Sequence, residues 1–444
     1  MQITVSERAP DPRVSLASGP MTAWQVLAIA ICVLLNALDG FDVLAISFAS
    51  PGIASEWDID RAALGVVLSM ELIGMAAGSV LLGQVADRVG RRLTVVVCLV
   101  VMGLGMLSTT LVTGIGALAA TRLFTGLGIG GMLATTNALV AEYTNDKWRG
   151  AAVAIMAAGY PMGAILGGAI STSLLETGGW RHIFLLGAGM TAACLPLVLF
   201  LLPEPVGALL QRRSSATFER VNRSLLALGH GPIDRLPEPQ PELPAARASI
   251  GALFAHGMTP VTLLLTAAYF FHIMTFYFIL KWVPKVVVDM GFSPSSAGGV
   301  LVWANVGGLV GGLLFSALSL RFAVRGLLVA FMLASMVMVT VFGQGQADLQ
   351  NLSLAAAAGG FCTNAAVVGI YALVAASFPT AIRGGGTGFV IGVGRGGAAL
   401  GPIVSGLLFQ AGLGLAPVAA IMASGSLIAA LALLSLPKGT AGVG

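Results

Sequence analysis

Residues 23–49 read AWQVLAIAICVLLNALDGFDVLAISFA, and Asp39 and Asp42 are the only charged side chains in the stretch. The run is longer than the roughly 20 apolar residues a helix needs to cross hydrocarbon. At about 100° per residue, two positions three apart sit on one helical face, so the acids form a pair. Each costs about 2.5–3.5 kcal/mol at a bilayer centre on insertion scales, which makes an idle pair a poor expectation.

Composition extends this reading to the whole chain. Of 444 residues, 57% are hydrophobic and 9% charged, with a mean hydropathy of +0.93; a soluble domain carries about 25% charged residues. Twelve spans are predicted, at 23–48, 62–85, 93–113, 116–141, 149–175, 182–202, 258–283, 296–320, 325–343, 351–377, 386–410 and 413–436. This is an all-α polytopic membrane protein. Its 59 glycines suit close helix packing in a bilayer.

Charge distribution sets the expected orientation. With the N-terminus inside, the inner segments collect Arg8, Arg13, Arg88, Arg91, Arg92, Lys147, Arg149, six arginines between 203 and 257, Arg321, Arg325, Arg383 and Lys438. The other side receives Arg61, Arg181 and Lys285. The positive-inside rule therefore places both termini in the cytoplasm. Arg122, Lys281 and Arg395 remain within or at the edge of spans. The pI near 9.0 thus reports topology, and no nucleic-acid partner is expected. Cys32, Cys98, Cys194 and Cys362 all fall in spans without CxxC spacing, so neither a disulfide framework nor a metal site is indicated. The basic tail before the first span resembles a signal peptide, but the run that follows is too long and carries two acids, so it should stay as a span.

In chain order, residues 1–20 of the tail are polar, contain prolines and read as disordered, and span one ends near Ser50-Pro51-Gly52. Span two holds a third membrane carboxylate, Glu71, which serves either in coupling or against a polar neighbour. It leads into Gly83-Gln84-Val85-Ala86-Asp87-Arg88-Val89-Gly90-Arg91-Arg92. This G-x-x-x-D-R-x-G-R-R spacing resembles the signature loop of the major facilitator superfamily. Its glycines allow a tight turn, and Asp87 with Arg88, Arg91 and Arg92 can lock a gate through ion pairs. Glu142 and Arg149, around the turn into span five, resemble the charged corner that faces this loop in the superfamily.

The resemblance implies two related six-span halves, which the sequence tests independently. Ala138-Leu139-Val140-Ala141 recurs as Ala372-Leu373-Val374-Ala375, an offset of 372 − 138 = 234. The same offset carries Arg149-Gly150 onto Arg383-Gly384, and Gly163, Leu166 and Gly167 onto Gly397, Leu400 and Gly401. Parallel halves follow. The expected organisation is a tail (1–22), a six-helix bundle (23–202), an inner loop (203–257), a second bundle (258–436) and a tail (437–444). Within the loop, Phe218, Val221, Leu225 and Leu228 recur at helical spacing, predicting an amphipathic helix on the membrane surface.

Candidate ligand-binding groups come from both halves. Arg122, one or two turns into span four, should face a cavity, a carboxylate or an anionic ligand. The glycine run after it lacks a preceding strand and a Walker lysine, so small-residue packing explains it. Span seven offers Tyr269, His272, Phe276, Tyr277 and Lys281, and span eight Trp303 and Asn305. His272 is either a packing group or a proton carrier. Arg395 lies deep in span eleven among glycines, and spans seven to twelve contain no carboxylate, so a substrate anion or an acid of the first half is its expected partner.

The D-G-F-D stretch with Pro51, the loop at 83–92, Arg122 with its glycines, and Arg395 together resemble the aromatic acid:proton symporter branch of the superfamily. By that resemblance the substrates are aromatic carboxylates such as hydroxybenzoates or protocatechuate, taken up with protons across a bacterial inner membrane by a monomer without cofactor. Asp39, Asp42 and Glu71 are the expected proton-coupling residues. Arg122, Arg395, His272, Tyr269, Phe276, Trp303 and Asn305 are the expected substrate contacts; Gly83, Asp87, Arg88, Gly90, Arg91, Arg92, Glu142 and Arg149 are the expected gate. Three other functions are compatible with the same residues: a symporter of a non-aromatic organic acid, a proton-coupled exporter and a membrane receptor for aromatic acids. The exporter's G-x-x-x-G-P-x-x-G-G pattern is only partly matched by Gly159-Tyr160-Pro161-Met162-Gly163 with Gly167-Gly168 in span five. Intramembrane catalysis has no matching motif.

Overall fold

The computed structural model describes residues 11–211, 215–237, 250–255, 257–345, 348–379 and 382–437. Twelve of its helices are long and apolar enough to cross a membrane. In the first half these are α2 (Ala23–Trp57), α3 (Arg61–Val89), α4 (Arg91–Thr109), α5 (Ile115–Tyr143), α6 (Arg149–Thr177) and α7 (Arg181–Leu201). The second half contains α10 (Thr259–Asp289), α11 (Pro294–Leu318), α12 (Val324–Gly343), α13 (Leu349–Ser377), α14 (Arg383–Gln410) and α15 (Leu415–Leu434). Shorter helices α1 (Pro12–Ser18), α8 (Val206–Gln211) and α9 (Thr217–Ala227) sit at the end of the bundle that carries both chain termini.

Three expectations are corrected here. Residues 12–18 are helical: Asp11 caps α1, Leu16 is buried, and the backbone of Ala17 and Gly19 accepts hydrogen bonds from Asp146 and Asn145. Span one does not stop at Pro51, because α2 continues through it to Trp57; a proline is tolerated in a membrane helix whose freed carbonyl finds other partners. Likewise α10 passes Pro284 and continues over apolar Val286–Val288, so Lys281 lies well inside a helix and is fully buried. The predicted amphipathic helix forms as α9, burying Val221 and Leu225, with Leu228 buried just beyond its end.

The repeat is visible as repeated helix crossings. A Cβ on Gly163 of α6 would lie 1.7 Å from the Ala37 carbonyl oxygen of α2, and one on Gly397 of α14 would lie 2.1 Å from that of Phe270 in α10. Adding the 234-residue offset to each first-half position lands on or beside its second-half counterpart. Only glycine permits either approach. The two bundles meet through α3 on α14, α6 on α11 and α2 on α10.

These junctions lie toward the end of the molecule away from the termini. There Arg61 pairs with Asp289 at 3.0 Å and its backbone N–H donates to Gln410, Ser295 donates to Glu176, and Gly65 packs on Pro402 and Gly406. At the terminus-bearing end, Ala151, Ala154 and Ala157 of α6 are exposed, and a Cβ on Gly384, Gly388 or Gly392 of α14 would meet open space. The halves are thus closed at the far end and apart at the near one.

Candidate functional site

The first-half acids converge on a dry centre. Asp39, Asp42 and Glu71 have no exposed surface, and neither aspartate has a hydrogen-bond partner for either carboxylate oxygen. Glu71 lies between two equally buried cations, 3.9 Å from Arg122 Nη1 and 3.7 Å from Lys281 Nζ. Close helix approach makes this possible: a Cβ on Gly126 of α5 would lie 2.1 Å from the Glu71 carbonyl oxygen, and one on Gly130 would lie 2.1 Å from that of Met75. The glycine run after Arg122 is a packing stripe that brings α5 against α3.

Arg122 is not presented to a substrate. Its Nη2 donates to Thr109 Oγ1 at 2.6 Å, Thr125 Oγ1 at 3.0 Å and the Gly105 carbonyl at 3.3 Å, and its guanidinium lies 4.7 Å above the Phe184 ring. With Glu71 added, the cation is enclosed within the first half and meets a carboxylate, one of the three partners expected for it. A buried cation next to an available carboxylate satisfies itself internally before it waits for a ligand.

Arg395 is the contrasting case. It is half-buried and makes no hydrogen bond or ion pair among the described residues. Tyr269 and Tyr277 of α10 lie within its electrostatic reach. The Tyr269 hydroxyl meets that of Tyr371 at 2.9 Å with ring centroids 5.7 Å apart, and Gly394 leaves room for the Tyr269 ring. Phe276 packs edge-on to Tyr277 at 5.3 Å. Across the interface, the buried Tyr160 hydroxyl of α6 faces that of Tyr277, and Tyr160 lies within electrostatic reach of Asp39 and Glu71. Tyrosines therefore occupy the space between the acid centre and Arg395.

Other expected substrate contacts lie elsewhere. His272 Nδ1 meets Ser426 Oγ at 3.0 Å and Nε2 meets the Thr363 carbonyl at 3.0 Å, so both ring nitrogens are occupied inside the second bundle. Trp303 is 54% exposed in an apolar stripe with Val310 and Leu314, the signature of a lipid-facing side. Asn305 is buried and donates to the Leu301 carbonyl of its own helix at 2.9 Å. Residue type and span named these residues, but neither says which face of a helix turns inward.

The signature loop folds as a sharp corner. Gly90, with φ of 128°, ends α3 and starts α4, a conformation L side chains rarely adopt. Gly83 faces the Ala134 side chain of α5. Arg91 pairs with Glu142 across to α5, while Glu204 accepts the backbone N–H groups of Arg91 at 2.7 Å and Arg92 at 3.0 Å, capping α4. The Arg92 side chain donates to the Leu199 carbonyl. Arg149 pairs with Asp146 at 2.9 Å. Arg88 is exposed, and the side chain of Asp87 lies outside the described residues. Two roles were not assigned from sequence: that of Lys281, offered by span seven without a role, and that of the Arg61–Asp289 pair at the far end. A lysine inside an apolar run was the available signal for the first.

Comparison with known proteins agrees with this architecture. The family model for the Major Facilitator Superfamily matches residues 29–343 and 265–443. The chain is 30% identical to a gallate transporter of Pseudomonas putida, over 94% of this chain and 92% of that protein. It is also 30% identical to the 4-hydroxybenzoate transporter PcaK of Pseudomonas aeruginosa, over 90% of each, and to a 3-(3-hydroxy-phenyl)propionate transporter of Escherichia coli, over 93% and 94%. Among solved structures, a partially occluded inward-open xylose transporter XylE from E. coli superposes with a TM-score of 0.72 at 16% identity, covering 94% of this chain and all of that one. Twelve spans in two glycine-packed halves, a signature corner at Gly90 and full-length transporter relatives lead to one conclusion: the chain is a multi-pass membrane protein and belongs to the major facilitator superfamily.

Proposed function

We propose that this protein is a proton-coupled symporter that imports an aromatic carboxylate, of the hydroxybenzoate or protocatechuate type, across a bacterial inner membrane. The observation that carries the reading is a division of labour. Among the described residues, Asp39 and Asp42 are buried without a hydrogen-bond partner beside the Glu71–Arg122–Lys281 cluster, while Arg395 lies near tyrosines without a hydrogen bond or ion pair. One centre is suited to a proton and the other to an aromatic anion. The relatives named above are transporters of gallate, 4-hydroxybenzoate and 3-(3-hydroxy-phenyl)propionate, and under the positive-inside rule the inner-loop arginines support a cytoplasmic position for both termini. In that orientation the structure faces the cytoplasm.

The cycle follows from charge. Facing outward, Asp39, Asp42 or both take up a proton, which lowers the cost of enclosing unpaired negative charge. The substrate carboxylate then pairs with Arg395, and its ring lies against Tyr269, Tyr277 and Phe276. With both charges compensated, the far ends close through Arg61, Asp289 and the Gly65–Gly406 contact. Opening toward the termini separates the near ends and releases substrate and proton. No cofactor is required, and one chain suffices.

The test is uptake of labelled 4-hydroxybenzoate by proteoliposomes with and without an imposed proton gradient. Wild-type protein accumulates the label only with the gradient, and the double variant Asp39→Asn/Asp42→Asn does not. Undiminished gradient-driven accumulation by Asp39→Asn/Asp42→Asn sinks the assigned role.

A further inference from the structure

Lys281 is the one charged side chain that the second bundle sends into the first bundle's acid centre among the described residues. Its ammonium lies 3.7 Å from Glu71 Oε2 and donates to the Val43 carbonyl of α2, and the side chain has no exposed surface. Both contacts cross the interface between halves. At about 1.5 Å per residue, Lys281 sits about 12 Å along α10 from Asp289, on the closed side of the molecule. Any motion that opens the far ends carries α10 away from α2 and α3 and withdraws Lys281 from the centre. Arg122 stays behind, because α5 belongs to the same bundle as the acids.

Counting charge in the two positions gives the consequence. Asp39 and Asp42 on α2 and Glu71 on α3 face Arg122 on α5 and Lys281 on α10. The other ionisable groups in contact are Cys98 on α4, Tyr160 on α6, Cys194 on α7 and Tyr277 on α10. These thiols and phenols are neutral in their ordinary ranges near pH 7. With Lys281 inserted, three carboxylates meet two cations, and one proton completes neutrality. With Lys281 withdrawn, they meet one cation, and neutrality takes two protons. A dry site enforces that balance strongly.

We propose that the Lys281 ammonium and a proton are alternative counter-ions for this centre. Closing the far ends inserts Lys281 and expels one proton toward the terminus-bearing side; opening them withdraws Lys281 and loads one from the far side. The device rests on the symport reading above and deepens it: Lys281 is a positioning residue that ties proton movement to the change of access, at one net proton per cycle.

The experiment compares gradient-driven accumulation with substrate counterflow in proteoliposomes, using labelled 4-hydroxybenzoate. With one proton per carboxylate, a gradient of one pH unit accumulates the substrate about tenfold, since one unit is 1.36 kcal/mol per proton. Wild-type protein and Lys281→Arg reach that ratio. Lys281→Gln requires the same number of protons in both positions, so its accumulation ratio falls to unity while counterflow persists. The double variant Glu71→Gln/Lys281→Gln behaves likewise, since it too requires the same number of protons in both positions, and it removes the carboxylate that Lys281→Gln leaves one cation short. Accumulation by Lys281→Gln equal to wild type overturns the inference and leaves symport intact. Loss of counterflow in both glutamine variants makes Lys281 a structural ion-pair partner and also overturns it. If wild-type protein itself fails to accumulate the label, the failure belongs to the symport reading.

Discussion

Replacing Glu71 by glutamine probes the centre most directly. The carboxylate lies 3.9 Å from Arg122 and 3.7 Å from Lys281, and all three side chains are fully buried. At 3.7 Å and an effective dielectric of about 20, one such pair interacts by about 4 kcal/mol. Glu71→Gln leaves Lys281 with only the Val43 carbonyl, and removing one partner of a buried pair costs about 3–5 kcal/mol. Lys281→Met costs less, about 1–3 kcal/mol, because Glu71 retains Arg122. The double variant Glu71→Gln/Lys281→Met is more stable than the sum of the two changes predicts, by about 1–3 kcal/mol, because neither substitution then strands a charge. Equilibrium unfolding in mixed detergent micelles measures all four corners of the cycle. Additivity within about 0.5 kcal/mol refutes the pairing, whatever either single variant does.

Arg395→Gln removes a charge-assisted contact of about 1.5–3 kcal/mol, so KM for uptake rises by about 10- to 150-fold; an unchanged KM removes Arg395 from the binding site. His272→Ala strands Ser426 and the Thr363 carbonyl, lowering stability by about 1–3 kcal/mol. The pH profile of uptake stays put, and a shifted profile would show that the imidazole titrates in the cycle. Gly163→Val drives a side chain into the Ala37 carbonyl, 1.7 Å from the added Cβ, and separates α2 from α6; folded yield drops sharply, whereas Trp303→Ala on the lipid face leaves it near wild type. Raising the external pH at constant internal pH slows uptake by wild-type protein, because loading of the acid centre from outside is then less complete.

Much of the architecture was legible because it is a sum over neighbouring residues. An apolar run near Ala23–Ala49 prefers lipid wherever it occurs, and the 234-residue offset marks equivalent helix crossings because glycines at both must admit a backbone. The limits of α2 and α10 were less legible, since Pro51 and Pro284 end helices in water but are accommodated inside a bundle. Trp303 and Asn305 were taken together although they lie two residues apart, about 200° around a helix, and so face opposite ways.

The two buried aspartates, the cationic intruders in both halves and the twofold repeat were decided by the sequence alone, because charge in an apolar run is a local fact. Which cation meets which acid was decided only by tertiary structure. Arg122 turned inward to Glu71 because Gly126 and Gly130 let α5 close on α3, and Lys281 joined them because the far ends of the two bundles are together. Arg395 was left facing tyrosines because the one carboxylate on the second half's described spans, Asp289, lies at the far end of α10 and pairs with Arg61 and Lys285. Pairings between residues more than 200 positions apart arise from helix packing and from the position of one half against the other, and neither is encoded in any single stretch of the chain.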